Sequence, residues 1–75
     1  MRDVFADTSF WVALQLRRDT RHELALEIAD RHRGQLVATS NLVVGETWTF
    51  LRNRDGHPTT VAWLRRLREN EGVRV

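Results

Sequence analysis

An α/β fold built on a short parallel sheet is what the sequence predicts, in the order β-α-α-β-α-α-β. Three observations predict it. Val4-Phe5-Ala6 and Leu36-Val37-Ala38 are apolar runs too brief for helices, and Val73-Arg74-Val75 reads as the start of a third strand. The two stretches between them each hold two helix-like patterns. Gly34, Gly56 and Gly72 each fall just past a predicted helix, where a stop signal belongs. Strands separated by helices favour parallel pairing under helical cover.

Taken in order, Val4-Phe5-Ala6 reads as a buried strand. Phe10 to Leu16 is apolar nearly all round apart from Gln15, so a helix there is covered on most sides. Arg17-Arg18-Asp19 is a polar break. Thr20-Arg21-His22-Glu23 matches a capping box, with Thr20 as N-cap and Glu23 reaching back. Leu24, Ala25, Ile28 and Ala29 then form one apolar face, and Gly34 ends the helix. After the second strand, Thr39, Ser40 and Asn41 are all good N-caps for a third helix running to about Asp55. His57-Pro58 opens a fourth helix, with Pro58 where its missing N–H costs nothing. Val61, Leu64 and Leu67 make its inner face and Arg65, Arg66 and Arg68 its outer one.

The 75 residues make at most one domain, near the size at which a single core needs no staple. No cysteine is present, which excludes disulfides and thiolate metal sites and accords with a reducing, cytoplasmic setting. No apolar run approaches the roughly 20 residues of a membrane helix, and no signal-peptide pattern opens the chain. The net charge is +2, and all 12 basic residues are arginine. Arginine suits phosphate recognition; genomic base composition accounts for the same bias.

Asp7 stands alone as a carboxylate within Val4 to Leu14, followed by Thr8 and Ser9. A lone buried carboxylate is costly unless paired. It falls between the first strand and the first helix, where ligands bind in open parallel sheets. It is also an ordinary N-cap. Glu46 sits in the third helix among mostly apolar neighbours, Leu42, Val43, Thr49 and Phe50. Gly45 beside it removes a side chain, which would let the first strand or its loop approach closely. Two carboxylates meeting in one cleft need a cation, and oxygen ligands select a hard ion such as magnesium or manganese. The competing reading pairs Glu46 with Arg52 or Arg54. His22, His32 and His57 lack ligand spacing, and Trp11, Trp48 and Trp63 read as packing residues, with His57 an N-cap or turn residue.

The runs Phe5 to Leu14 and Leu36 to Thr47, together with the Arg54-Asp55-Gly56-His57 turn, resemble the PIN domain and most of all its VapC-like toxin branch. The resemblance covers all 75 residues. It implies a three-layer α/β/α fold and metal-dependent cleavage of RNA, with Mg2+ or Mn2+ held by several acids. Asp7 matches the first acid and Glu46 the second, while Thr8 and Ser9 match the hydroxyls after the first. It further implies a homodimer and inhibition by a VapB-like antitoxin.

The family's third and fourth acids come from the second half of its domain. The expectation is therefore that residues 1–75 are the N-terminal part of a single domain whose C-terminal half is absent. Asp3, Asp19, Glu23, Glu27, Asp30, Asp55, Glu69 and Glu71 do not match those places. Such a chain is expected to hold a divalent ion weakly and to be inactive alone. A non-catalytic antitoxin-binding decoy and a truncated relic are the alternatives.

Overall fold

A computed structural model describes residues 4–75. Three strands, β1 (Val4–Phe5), β2 (Val37–Ala38) and β3 (Val73–Arg74), alternate with helices α1 (Thr8–Gln15), α2 (His22–Arg31), α3 (Asn41–Asp55) and α4 (His57–Glu69). The sheet is parallel, in the order β1-β2-β3, with Val4 opposite Val37 and Val37 opposite Val73. The predicted α/β order holds throughout the described residues.

Backbone hydrogen bonds carry the ladder one residue past β1 and β2. Ala6 N–H donates to Ala38 O at 2.8 Å, and Thr39 N–H donates to Arg74 O at 2.8 Å. This extension lays the ends of β1 and β2 side by side. β1 and β2 each then turn into a helix capped by a side chain. Asp7 Oδ1 accepts from Phe10 N–H at 3.0 Å to start α1, and Ser40 Oγ accepts from Val43 N–H at 3.1 Å to start α3. Such caps contribute about 1 kcal/mol each.

The core lies where α1, α3 and α4 meet the sheet. Leu51 is 0% exposed, and Ala6, Trp11, Val12, Leu16, Val43, Trp63 and Leu67 surround it. The Trp11 and Trp63 rings meet edge to face, with centroids 6.4 Å apart. Thr47 and Thr60, both fully buried, donate their hydroxyls to Val43 O and Gly56 O one turn back. The backbone thus satisfies polar groups that desolvation would otherwise penalise.

Several expectations are corrected. Thr20 does not cap α2: Arg21 takes the N-cap position without a side-chain bond. Asp19 Oδ1 accepts from Arg21 N–H at 2.8 Å and draws this segment into a turn, so the helix starts one residue later than the capping box implied. α1 starts at Thr8, two residues before the predicted Phe10, because Asp7 supplies the cap. Phe5 is exposed, since only one edge of β1 is paired among the described residues. Leu24 is exposed as well; Ala25 is the buried residue on that turn of α2. In α4 the deeply buried positions are Thr60, Trp63 and Leu67, while Val61 and Leu64 are half-buried. His57 is the first residue of α4 rather than its cap.

The cap is Gly56, which also ends α3, at φ +87° and ψ 174°. That region is open essentially to glycine alone, and a side chain there costs about 1–3 kcal/mol. Gly56→Ala is expected to lower the melting temperature by several degrees. Thermal unfolding followed by circular dichroism reads this directly.

Candidate active site

The parallel ladder brings the β1–α1 and β2–α3 turns together, and the candidate residues sit at these turns. Asp7 uses Oδ1 twice, accepting from Phe10 N–H and from the Ser9 hydroxyl, each at 3.0 Å. Among the described residues, Oδ2 takes no hydrogen bond. Capping and availability to a ligand therefore coexist in one carboxylate, because each uses a different oxygen.

Glu46 lies in the second turn of α3. Its Oε1 accepts from the Thr8 hydroxyl at 3.0 Å, across 38 residues of sequence. This contact joins the start of α1 to the body of α3, right beside Asp7. The structure thus brings Asp7, Thr8, Ser9 and Glu46 to one end of the sheet. The two carboxylates do not line the same recess. Asp7 borders a recess of about 280 Å³ between β1, α1 and α2, and Glu46 borders an open groove of about 520 Å³ along α3. Thr8 stands between them.

The alternative of an arginine partner for Glu46 is not observed. The Arg54 guanidinium lies 4.8 Å from the centre of the Phe50 ring, and the described ion pairs are Arg18–Asp55, Arg21–Asp19 and Arg33–Asp30. Among the described residues, the Glu46 carboxylate has only the Thr8 hydroxyl as partner. Gly45 is also placed differently from expectation. A Cβ there would meet nothing within 4 Å, so no strand or loop approaches it; it is exposed and lines the groove beside Glu46. Since it still costs α3 backbone entropy, Gly45→Ala is expected to stabilise the protein by about 0.5–1 kcal/mol. A rise in the urea midpoint checks this.

Sequence reading treated Thr39 as one of three interchangeable caps. The structure gives the cap to Ser40 and turns Thr39 inward, where its hydroxyl donates to Ala6 O at 3.0 Å and accepts from Trp11 Nε1–H at 3.3 Å. Three cap-competent residues in a row, of which only one can cap, was the available signal.

The donor set is all oxygen. Two carboxylates with open oxygens fit magnesium or manganese, which are held by one or two carboxylates plus water and substrate phosphate. Among the described residues no group of three or more acidic, histidine or cysteine side chains gathers around a common point. Of the remaining acids, Asp3 lies outside the described residues.

Known proteins resemble this arrangement in sequence and in fold. The chain is 48% identical over 59 residues to proteins named 23S rRNA-specific endonuclease VapC20 from two strains of Mycobacterium tuberculosis, CDC 1551 / Oshkosh and ATCC 25618 / H37Rv. That match covers 79% of this chain and 44% of each relative, so the chain spans less than half the length of these relatives. A crystal structure of Mycobacterium tuberculosis VapC20, titled a sarcin-ricin loop cleaving toxin, superposes with a TM-score of 0.81 at 44% identity. It covers 96% of this chain and 54% of that one. The family model described as PIN domain matches residues 4–75, and the chain belongs to the PIN-domain family.

Proposed function

We propose that this chain carries the Asp7–Glu46 half of the site of a VapC-like endoribonuclease toxin, which hydrolyses RNA phosphodiesters with Mg2+ or Mn2+. The observation that carries the reading is the Thr8–Glu46 hydrogen bond of 3.0 Å. It ties the second carboxylate to the residue next to the first. The similarity to endonucleases that act on 23S rRNA supports RNA as the substrate class.

In this reading Asp7 and Glu46 hold the metal ion. Ser9 and the Phe10 N–H fix one Asp7 oxygen, so that the other is presented in a single direction. Thr8 holds one Glu46 oxygen in the same way. The ion, when bound, supplies charge to stabilise the attacked phosphate and lowers the pKa of its bound water. A complete protein would require further acidic ligands, work as a homodimer in the cytoplasm and be restrained by a VapB-like antitoxin. Among the described residues, no helix is long and apolar enough to cross a membrane.

A second reading is antitoxin binding without chemistry. The ligand shortage favours it, as does exposed apolar surface at Leu42, 73% exposed, and at Phe5. One experiment addresses both. The purified chain is mixed with RNA bearing a sarcin–ricin loop, with Mn2+ or with EDTA. Little or no cleavage is expected of this chain alone, and any that occurs should be Mn2+-dependent and absent in Glu46→Gln. Mn2+ binding, read by electron paramagnetic resonance, is expected to be weak and to fall in the same variant. Mn2+ binding unaffected by Glu46→Gln would overturn the nuclease reading. Antitoxin binding that persists in that variant, without cleavage in the wild type, would establish the second.

A further inference from the structure

We propose that Thr39 is a positioning residue for Asp7, acting through the backbone of the β1–α1 turn. The inference rests on the reading of Asp7 as a metal ligand and deepens it.

Thr39 follows β2 and is 7% exposed. Its hydroxyl sits between two groups whose roles are fixed by chemistry. A carbonyl oxygen only accepts, and an indole N–H only donates. The Thr39 proton therefore points to Ala6 O at 3.0 Å, and a lone pair of Oγ1 receives Trp11 Nε1–H at 3.3 Å. No second arrangement of this relay exists. The carbonyl it holds belongs to the peptide that leads into Asp7, one residue beyond the end of β1.

Three further bonds act on the same turn. Ala6 N–H is anchored to Ala38 O, Trp11 N–H closes the first turn of α1 on Asp7 O at 3.2 Å, and Asp7 Oδ1 caps that helix. Thr39 is the element among these that reaches both flanks of Asp7 from another strand: Ala6 before it and Trp11 after it. Ser40, the next residue, starts the helix that carries Glu46. The two adjacent hydroxyls thus set both carboxylate-bearing turns from one point on the sheet. Rotation of the Ala6–Asp7 peptide would turn the Asp7 side chain away from its cap and change the direction in which its open oxygen is presented. Partners of this kind behind a metal ligand are commonly worth about tenfold or more in metal affinity.

The test compares Thr39→Val, which keeps the shape and removes the hydroxyl, with Thr39→Ser, which restores it. Thr60→Val is the control, because it removes a buried hydroxyl bonded to a carbonyl far from the turn. Two readouts are taken on the 75-residue chain. Nitrogen–proton NMR spectra follow the Asp7 and Phe10 amides and the Trp11 indole, and Mn2+ titration follows metal affinity. Thr39→Val is expected to move all three resonances and weaken Mn2+ binding about tenfold. Thr39→Ser should return affinity to within about twofold of wild type, and Thr60→Val should leave both readouts in place. Unchanged Asp7 and Phe10 amides in Thr39→Val would overturn the proposal, as would an equal loss of Mn2+ affinity in Thr60→Val. If the wild type binds no Mn2+, the nuclease reading fails while the NMR arm still decides the positioning role. If Thr39→Val does not fold, Trp11→Phe removes the indole donor alone: a shift of the Asp7 amide supports the relay, and an unmoved amide overturns it.

Discussion

Leu51→Ala is expected to remove most of the protein's stability. Leu51 is 0% exposed and lies in the C-terminal half of α3, in a core cluster with residues of α1 and α4. Truncating a fully buried leucine costs about 2–5 kcal/mol, because transfer energy is lost and the cavity collapses only in part. At this size the whole folding free energy is about 4–11 kcal/mol, taking the usual value per residue. One side chain thus accounts for a large share of the total, with no disulfide to offset its loss. Leu42→Ala provides the contrast. Leu42 belongs to the same helix but is 73% exposed, so its truncation should shift stability by about 0.5 kcal/mol or less. Urea unfolding followed by tryptophan fluorescence separates the two. Equal midpoints for both variants would contradict the placement of the core.

The contrast between these leucines shows where sequence is and is not informative. The order of elements was legible because it depends on local signals: brief apolar runs, Ser40 before a helix, Pro58 at a first turn and glycines at helix ends. The bounds of α3 followed from these signals, whereas α4 starts at His57, one residue before Pro58, and ends at Glu69, three residues short of Gly72. Burial was less legible because it depends on which neighbours arrive. Leu24 and Leu42 are as apolar as Leu51, yet only Leu51 meets α1 and α4 from both sides. The capping box at Thr20 failed for a related reason. Asp19, one residue earlier, takes Arg21 N–H on its carboxylate and His22 N–H on its backbone carbonyl, and so holds a turn where the helix would have begun. At the candidate site, the proximity of residues 7–9 to Glu46 followed from topology, since both turns leave the same end of a parallel sheet. The reason given for Gly45 did not hold, because the space beside it is open. The bond from Thr8 to Glu46 had no sequence signature. It spans 38 residues, and a hydroxyl next to a carboxylate reads first as a local cap.

Asp7→Asn is expected to leave the fold intact and remove divalent-metal binding, and with it any RNA cleavage. The argument rests on the division of labour between the two Asp7 oxygens. Capping needs only an acceptor aimed at Phe10 N–H, and asparagine caps about as well as aspartate. Stability should therefore change by no more than about 0.5 kcal/mol. Metal binding needs negative charge, since a hard divalent ion relies on anionic oxygen and a neutral amide supplies far less. Asp7→Ala removes both contributions, so it should lose metal and also about 1 kcal/mol of stability. The pair of variants separates the two roles where either alone would not. If Asp7 served only as a cap, Asp7→Asn would match the wild type in every assay, and Asp7→Ala would differ in stability alone. If Asp7 is a metal ligand, Mn2+ affinity falls by more than tenfold in both variants, while the urea midpoint moves in only one. The quantity to compare is thus Mn2+ affinity at matched stability, and Asp7→Asn supplies that match because the amide oxygen keeps the first turn of α1 closed.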